Sequence, residues 1–254
     1  MSRWSMRKWY LDCVAEDGTT WIGYWVDLRW SALRVPVVSS LLYADSRFSA
    51  TNRIRREEQP QLINGQLRWS SPALGVRVEM SSTAGGGTHQ LHEGVTWRCV
   101  MSAAETRVEL PGRALRGVGY AEVLEMSVAP WKLPIRELYW GRATGRNTSL
   151  VWIRWTGDQP LLLALRDGVL KNAVSIEDDE VRLTDGTRVT MSERAVLREE
   201  TLADTLHPVR GLAKLFPRAL TGSVERKWRS RGTLFADDVP VDEGWVIHER
   251  VTFA

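Results

Sequence analysis

Apolar and polar residues alternate with a period of two along much of this chain. The pattern is clearest in four runs, at 22–30, 76–80, 95–101 and 245–253. Because successive side chains of a β-strand point to opposite faces, this alternation predicts strands with one buried face. In the third run, the residues expected to share a face are Val95, Trp97, Cys99 and Met101.

Tight-turn signals separate these runs. They are Glu16-Asp17-Gly18, Asn64-Gly65, Pro111-Gly112, Asp167-Gly168 and Asp185-Gly186. Asn-Gly and Asp-Gly adopt the positive φ angles that short hairpins need, so the strands are expected to be antiparallel neighbours. The pattern predicts an all-β protein whose sheets close or stack. Glycine and polar residues at 144–147 suggest a division into domains 1–143 and 144–254.

One segment has helical periodicity. Its apolar positions are Leu206, Val209, Ala213 and Phe216. A short helix near 206–216 is predicted, because Pro217 would end it. It is interpreted either as a plug at the end of a barrel or as a basic lid. A lid would make transient contact with a membrane surface, with Arg210, Lys214 and Arg218 on its polar face.

Composition narrows the possible functions. The 254 residues are 43% hydrophobic and 26% charged, as in ordinary globular proteins. The net charge of +3 is spread among interleaved Arg, Asp and Glu, which argues against a nucleic-acid partner. Cys13 and Cys99 are expected to be buried free thiols. With no signal peptide or membrane-length apolar run visible, a cytoplasmic location is expected.

The chain contains 13 Trp residues. Trp combines a large apolar surface with one N–H donor, so the rings are interpreted either as core filling or as walls of a ligand cavity.

Six segments of the chain together carry a family resemblance. They are 8–12, 117–122, 130–134, 138–142, 149–155 and 244–249. As a set they resemble the lipocalin-like family of carotenoid 1,2-hydratases. The resemblance implies two lipocalin-like antiparallel β-barrel or sandwich halves packed together. It also implies a small apolar ligand, since family members hydrate polyene lipids and more distant cyclases fold a polyene for an intramolecular Diels–Alder reaction.

Alkene hydration requires a proton donor in an apolar cavity that tolerates a carbocation. A buried carboxylic acid near aromatic rings meets this need. Glu122 and Glu249 are the candidate acids, and Tyr120 is the candidate hydrogen-bonding partner, because each Glu alternates with apolar residues. The alternative for each Glu is a structural ion pair, with Arg136, Arg142 and Arg154 as the expected partners. By parity, Glu125 and Glu137 are expected to be solvated or in surface pairs.

The predicted substrate-binding residues are Trp97, Trp131, Trp140, Trp152, Trp155, Tyr24, Arg142, His89 and His92. On a regular strand Trp152 and Trp155 point to opposite faces, so both are not expected to face inward. His89 and His92 are interpreted as a polar rim or a proton relay at the pocket mouth. No third ligand has metal-site spacing, and no nucleotide-binding motif is present, so neither a metal nor another cofactor is predicted.

Three functions stay open at this stage. The first is hydration of a polyene or isoprenoid by acid catalysis. The second is isomerisation or cyclisation in the same pocket. The third is a non-catalytic carrier, or a protective binding module, for a polyene, isoprenoid or polyketide-like ligand. The sequence predicts no oligomeric state.

Overall fold

The computed structural model describes residues 4–82, 85–201 and 222–253, which form nineteen strands and one short 3-10 helix. The first ten strands are β1 (Trp4–Val14), β2 (Thr20–Trp30), β3 (Leu33–Ala44), β4 (Arg47–Ile54), β5 (Gln61–Ile63), β6 (Gln66–Ser71), β7 (Val76–Ser81), β8 (Thr88–His92), β9 (Val95–Leu110) and β10 (Arg113–Met126). After the 3-10 helix Pro130–Lys132 come β11 (Glu137–Thr144), β12 (Ser149–Thr156), β13 (Leu161–Arg166), β14 (Val169–Lys171), β15 (Ala173–Ile176), β16 (Glu180–Leu183), β17 (Thr187–Thr201), β18 (Val224–Ala236) and β19 (Val239–Thr252).

The chain divides into two compact units, one up to Ala129 and one from Pro130. In the first, the strands lie side by side in the order β4-β3-β2-β1-β10-β9-β7-β6-β5, and β8 also pairs with β9. In the second, the order is β14-β13-β12-β11-β19-β18-β17-β16-β15. Both sheets are antiparallel, as the alternating runs and hairpin turns predict.

Each unit has its own apolar core. In the first, one sheet face carries a cluster that includes Trp9, Trp21, Trp25 and Trp69, so several of the rings are core filling. The second unit's cluster is built on the β12 face that carries Trp152. Cys13 and Cys99 are buried free thiols, as predicted.

The predicted strands and turns are confirmed. The four alternating runs fall in β2, β7, β9 and β19. At the hairpin between β5 and β6, Asn64 has φ 50° and Gly65 has φ 75°, the positive angles expected of a tight turn.

One predicted face is wrong. Trp97 and Cys99 share a face of β9, but Met101 belongs to the core cluster on the other face. The reason is a β-bulge, because β9 advances two residues from Cys99 to Met101 while β10 advances one, from Glu122 to Ala121. An extra residue in one strand shifts the alternation beyond it.

The predicted division at 143/144 differs from the structure. Strand β11 pairs with β12 and β19 along its whole length, so residues 130–143 lie with the second unit. The Gly and polar residues at 145–147, which were interpreted as a linker, form the hairpin turn between β11 and β12. The predicted helix near 206–216 lies outside the described residues.

Candidate active site

The first unit places a set of aromatic and acidic side chains on the sheet face opposite its Trp core. We call this set the acid face. It consists of Tyr10, Asp12, Tyr24, Trp97, Tyr120 and Glu122, all of them buried. Four adjacent strands in the order β2-β1-β10-β9 supply it. Tyr10 lies directly opposite Tyr24 on one side and Glu122 on the other, which fixes the set by strand register.

Glu122 is the centre of the acid face. Its Oε2 atom accepts a hydrogen bond of 2.7 Å from the Tyr120 hydroxyl and one of 2.5 Å from the Trp97 indole N–H. Tyr120 is two residues from Glu122 on β10. Trp97 is on β9, where it lies opposite Leu124 of β10. Tyr120 and Glu122 therefore lie on the same face of β10, as the period-two alternation predicts.

A second tyrosine–carboxylate pair lies on the neighbouring strand. The Tyr10 hydroxyl donates to Asp12 Oδ2 at 2.9 Å. Because β1 and β10 are antiparallel, Tyr10 is opposite Glu122 and Asp12 is opposite Tyr120. The Tyr10 ring also packs against two other rings, Tyr24 at a centroid distance of 5.4 Å and Tyr120 at 6.0 Å.

Burial and negative charge control the protonation of two neighbours of Glu122. Burial, followed by the Glu122 charge, raises the pKa of Tyr120 well above its usual range. The same two causes raise the pKa of the Cys99 thiol to about 12. Both groups therefore keep their protons at neutral pH, and Tyr120 acts as a donor to Glu122.

These contacts distinguish the two oxygens of Glu122. An indole N–H has only a donor role, and a protonated phenol aimed at Oε2 also donates, so Oε2 is held as an acceptor. When the carboxyl group carries a proton, that proton is therefore directed to Oε1. The arrangement can present an acid with one defined proton-bearing oxygen.

The two predicted His residues, His89 and His92, both lie in β8. The His89 ring is 5.6 Å from the Trp97 ring, and its Nε2 atom is 2.8 Å from the Gly86 carbonyl oxygen. His92 Nδ1 is 2.9 Å from the carbonyl oxygen of Glu93. His89 is thus next to a residue of the acid face, and both rings contact backbone carbonyls. Within the described ranges, no three His, Cys, Asp or Glu side chains converge as a metal site.

Glu249, the other candidate acid, belongs to the second unit and forms an ion pair there. Lys227 lies opposite it on β18, contacts it directly, and places its Nζ 3.5 Å from Glu225 Oε1. The same Nζ lies 5.8 Å from the centre of the Trp140 ring. Glu249 therefore forms an ion pair, as its alternative interpretation predicted, with Lys as its partner where Arg was expected.

The three Arg residues expected to pair with these acids have other contacts. Arg142 is fully buried and donates to Thr144 Oγ1 at 3.0 Å. Arg154 pairs with Glu177 at 2.9 Å, and Arg136 lies 3.5 Å from Asp158. The surface pairs predicted for the other two acids are present, as Glu125 with Arg7 and Glu137 with Arg250.

The remaining predicted wall residues are also in the second unit. Trp152 belongs to its apolar core cluster, whereas Trp155 is buried on the opposite face of β12, as the parity rule requires. Trp140 shares a face of its sheet with Glu249, and Trp131 is half-buried in the 3-10 helix.

Sequence reasoning missed Tyr10 and Asp12. A usable signal was present, since Tyr10-Leu11-Asp12 has the same Tyr-x-acid spacing as Tyr120-Ala121-Glu122. Two residues of spacing put a tyrosine and an acid on one strand face.

A depression of about 470 Å³ lies at one end of the first unit. Its lining includes Met6, Arg7, Trp25, Asp27, Glu125 and Met126. Met6 and Met126 are opposite each other on the face of Glu122, whereas Arg7, Trp25, Asp27 and Glu125 have the parity of the Trp core face. The depression is therefore lined mainly from the sheet face opposite the acid face.

None of the helices among the described residues has the length and apolar character needed to cross a membrane.

Comparison with known proteins gives matches in structure only. No family model and no curated protein matches the sequence. The fold is similar to that of CghA, with TM-score 0.64 and 11% identity over 98% of this chain and 88% of that one. It is also similar to kievitone hydratase from Nectria haematococca, with TM-score 0.57 and 9% identity over 98% and 89% of the two chains. An AttH protein from Nitrosomonas europaea matches with TM-score 0.54 and 11% identity over 98% and 92%. The chain therefore shares the overall fold of these three structures.

Proposed function

We propose that this protein is a cofactor-independent enzyme that adds water to an alkene of an apolar, isoprenoid-type substrate. The observation that carries the proposal is the buried Glu122, whose Oε2 atom receives both the Tyr120 and the Trp97 hydrogen bonds. In the proposed reaction, Glu122 transfers the proton on Oε1 to one alkene carbon. A carbocation forms at the other carbon, and water then adds to it.

The surroundings of Glu122 suit this chemistry. The faces of aromatic rings attract positive charge by about 0.5–2 kcal/mol each, and Tyr10, Tyr24 and Trp97 lie on the same sheet face. Exclusion of bulk water protects a carbocation from uncontrolled capture.

The fold comparisons support an enzyme of the hydratase or cyclase type. One similar structure is a hydratase, and another is CghA, a Diels–Alderase-like cyclase whose structure was also determined with the small molecule Sch210972. Because the identities are 11% or lower, the choice between the two reactions rests on Glu122.

The test is incubation of the purified chain with lycopene or kievitone in water enriched in oxygen-18, followed by mass spectrometry. We expect a labelled alcohol from the unaltered protein and none from Glu122→Gln. Glu109→Gln, an exposed residue on β9 paired with Arg107, is the matched control and keeps full turnover. Conversion without label would identify cyclisation or isomerisation and refute hydration. Bound but unchanged probe would identify a carrier.

A further inference from the structure

The depression at the end of the first unit is separate from the acid face. Its charged and aromatic lining, which includes Arg7, Trp25, Asp27 and Glu125, comes from the sheet face of the Trp core. We infer that this depression is a binding site of its own, whose ligand is a small planar aromatic carboxylate. The inference does not depend on the alkene chemistry proposed for Glu122.

Strand register arranges the charged lining as one row across three strands. Asp27 of β2 lies directly opposite Arg7 of β1, and Arg7 lies directly opposite Glu125 of β10. Trp25 is two residues from Asp27 on the same strand, so it shares the face of this row and lies one step nearer the Trp core. The depression therefore combines an aromatic surface with a row of charges.

The uncharged part of the lining suits a flat ring. Trp25 is held in place because its Nε1 atom donates to the carbonyl oxygen of Glu57 at 3.0 Å. Met6 and Met126, which are opposite each other, add two thioether side chains. Indoles and thioethers both make favourable contacts with aromatic rings. The volume of about 470 Å³ lies within the range of small-molecule sites and accommodates a bicyclic ring system.

Asp27 is not a site for a cationic ligand, because its charge is already balanced. Its two oxygens accept four hydrogen bonds from Arg29 and Arg34, at 2.6–3.1 Å. Burial raises the pKa of Asp27, but the hydrogen bonds from Arg34 and Arg29 outweigh burial and lower it overall. Asp27 therefore stays ionised at neutral pH and holds the Arg29 guanidinium at the edge of the depression.

Arg7 is the cation whose partner a ligand can replace. Its Nε and Nη2 atoms lie 2.7 and 2.5 Å from Glu125 Oε1, and the two side chains are 49% and 46% exposed. Arg7 also donates to Gln59 Oε1 at 3.3 Å. Exposed ion pairs contribute little to stability, so a ligand carboxylate can displace Glu125 at small cost. Nε and Nη2 can then donate to its two oxygens in parallel.

The charges around the depression favour an anion. The charged side chains that line it, together with Arg34, are three guanidiniums and two carboxylates, so their net charge is +1 (three minus two). Arg98 adds a positive charge on the same face, since it lies opposite the core residue Val123. Its guanidinium is 5.8 Å from the centre of the Trp9 ring, and Trp9 is directly opposite Trp25. These charges attract a carboxylate and repel an ammonium group.

The test is isothermal titration calorimetry of the purified chain with naphthoate, beside naphthylmethanol as a neutral probe with the same ring. We expect saturable binding of naphthoate with a dissociation constant below about 1 mM, and binding of the alcohol at least about 10-fold weaker. Arg7→Gln is expected to weaken naphthoate binding about 10-fold. Arg107→Gln is the matched control and leaves it unchanged, because Arg107 forms an equally exposed pair with Glu109 away from the depression.

Glu125→Gln distinguishes competition from direct contact. This variant keeps the shape of the side chain but removes the charge that competes with the ligand for Arg7. We therefore expect it to bind naphthoate about 3- to 10-fold more tightly. Weaker binding would mean that Glu125 itself contacts the ligand, and would overturn the proposed exchange of partners at Arg7.

Ser5→Trp tests the location, because Ser5 is an exposed residue that lines the depression and a Trp side chain there would fill it. We expect loss of naphthoate binding, whereas Ser70→Trp, at an exposed position on β6, retains it. Thermal melting establishes that each variant is folded. Binding that survives in folded Ser5→Trp would overturn the location. Equal affinity for the two probes, or no saturable binding of naphthoate, would overturn the assigned ligand. No turnover is measured, so these outcomes are independent of Glu122.

Discussion

Glu249 lies directly opposite Lys227 on adjacent strands, and the two form an ion pair in the second unit. The Lys227 side chain is 2% exposed and also approaches Glu225. Removing one partner of a buried ion pair leaves the other charge uncompensated, which is strongly destabilising.

Lys227→Met is therefore expected to lower the free energy of unfolding by about 3–5 kcal/mol, since it leaves two buried carboxylates without this cation. Urea unfolding at neutral pH measures the change. The double variant Lys227→Met/Glu249→Gln is expected to recover part of the loss, because only one of the two charges then remains. Unchanged stability of the single variant would mean that the ion pair contributes nothing.

Tyr120→Phe removes one of the two hydrogen bonds to Glu122 Oε2 and keeps the ring. A hydrogen bond to a charged or acidic group contributes about 1.5–3 kcal/mol, so turnover should fall by about 10- to 100-fold. Trp97→Phe should produce a similar loss by removing the other donor. Steady-state kinetics on the probe that reacts measures the loss of turnover, and thermal melting establishes that each variant is folded. Full turnover in both folded variants would contradict the role assigned to Oε2.

His248 is expected to make the protein sensitive to acid. Burial, with the charge of Arg194, lowers the pKa of His248 from 6.5 to about 3. His248 is therefore protonated below about pH 6.5 in the unfolded chain but only below about pH 3 in the folded chain. Because the unfolded state binds more protons between these two values, the free energy of unfolding falls as the pH drops through this range. The loss between pH 7 and pH 4.5 is about 3 kcal/mol from this residue alone.

The comparison variant is His248→Gln, whose amide still reaches the Ser230 hydroxyl that lies 3.0 Å from His248 Nε2. It should be somewhat less stable at pH 7 and lose less stability on acidification. Urea midpoints at the two pH values provide the measurement. An equal acid loss in both proteins would exclude His248 as the cause.

The sequence was sufficient for features that depend on one strand alone. Alternation along β10 put Tyr120 and Glu122 on one face, and the same rule separated Trp152 from Trp155. It was insufficient where two strands must be aligned. The pairing of Glu249 with Lys227 depends on the register of β18 against β19, which no local pattern encodes. Asp12 was missed because its acidity becomes informative only when β1 lies beside β10.

The bulge in β9 has a consequence for anyone who redesigns this protein. Val100 is the extra residue, because Cys99 pairs with Glu122 and Met101 pairs with the adjacent residue of β10, Ala121. Deleting Val100 would therefore make the pairing of the two strands regular and would leave Trp97 and Cys99 on the face of Glu122. Deleting Arg98 instead would bring Trp97 opposite Val123, on the other face, and would take the indole donor away from Glu122, although no residue of the acid face had been replaced. The spacing between Trp97 and Cys99 must therefore be preserved as strictly as the side chains themselves.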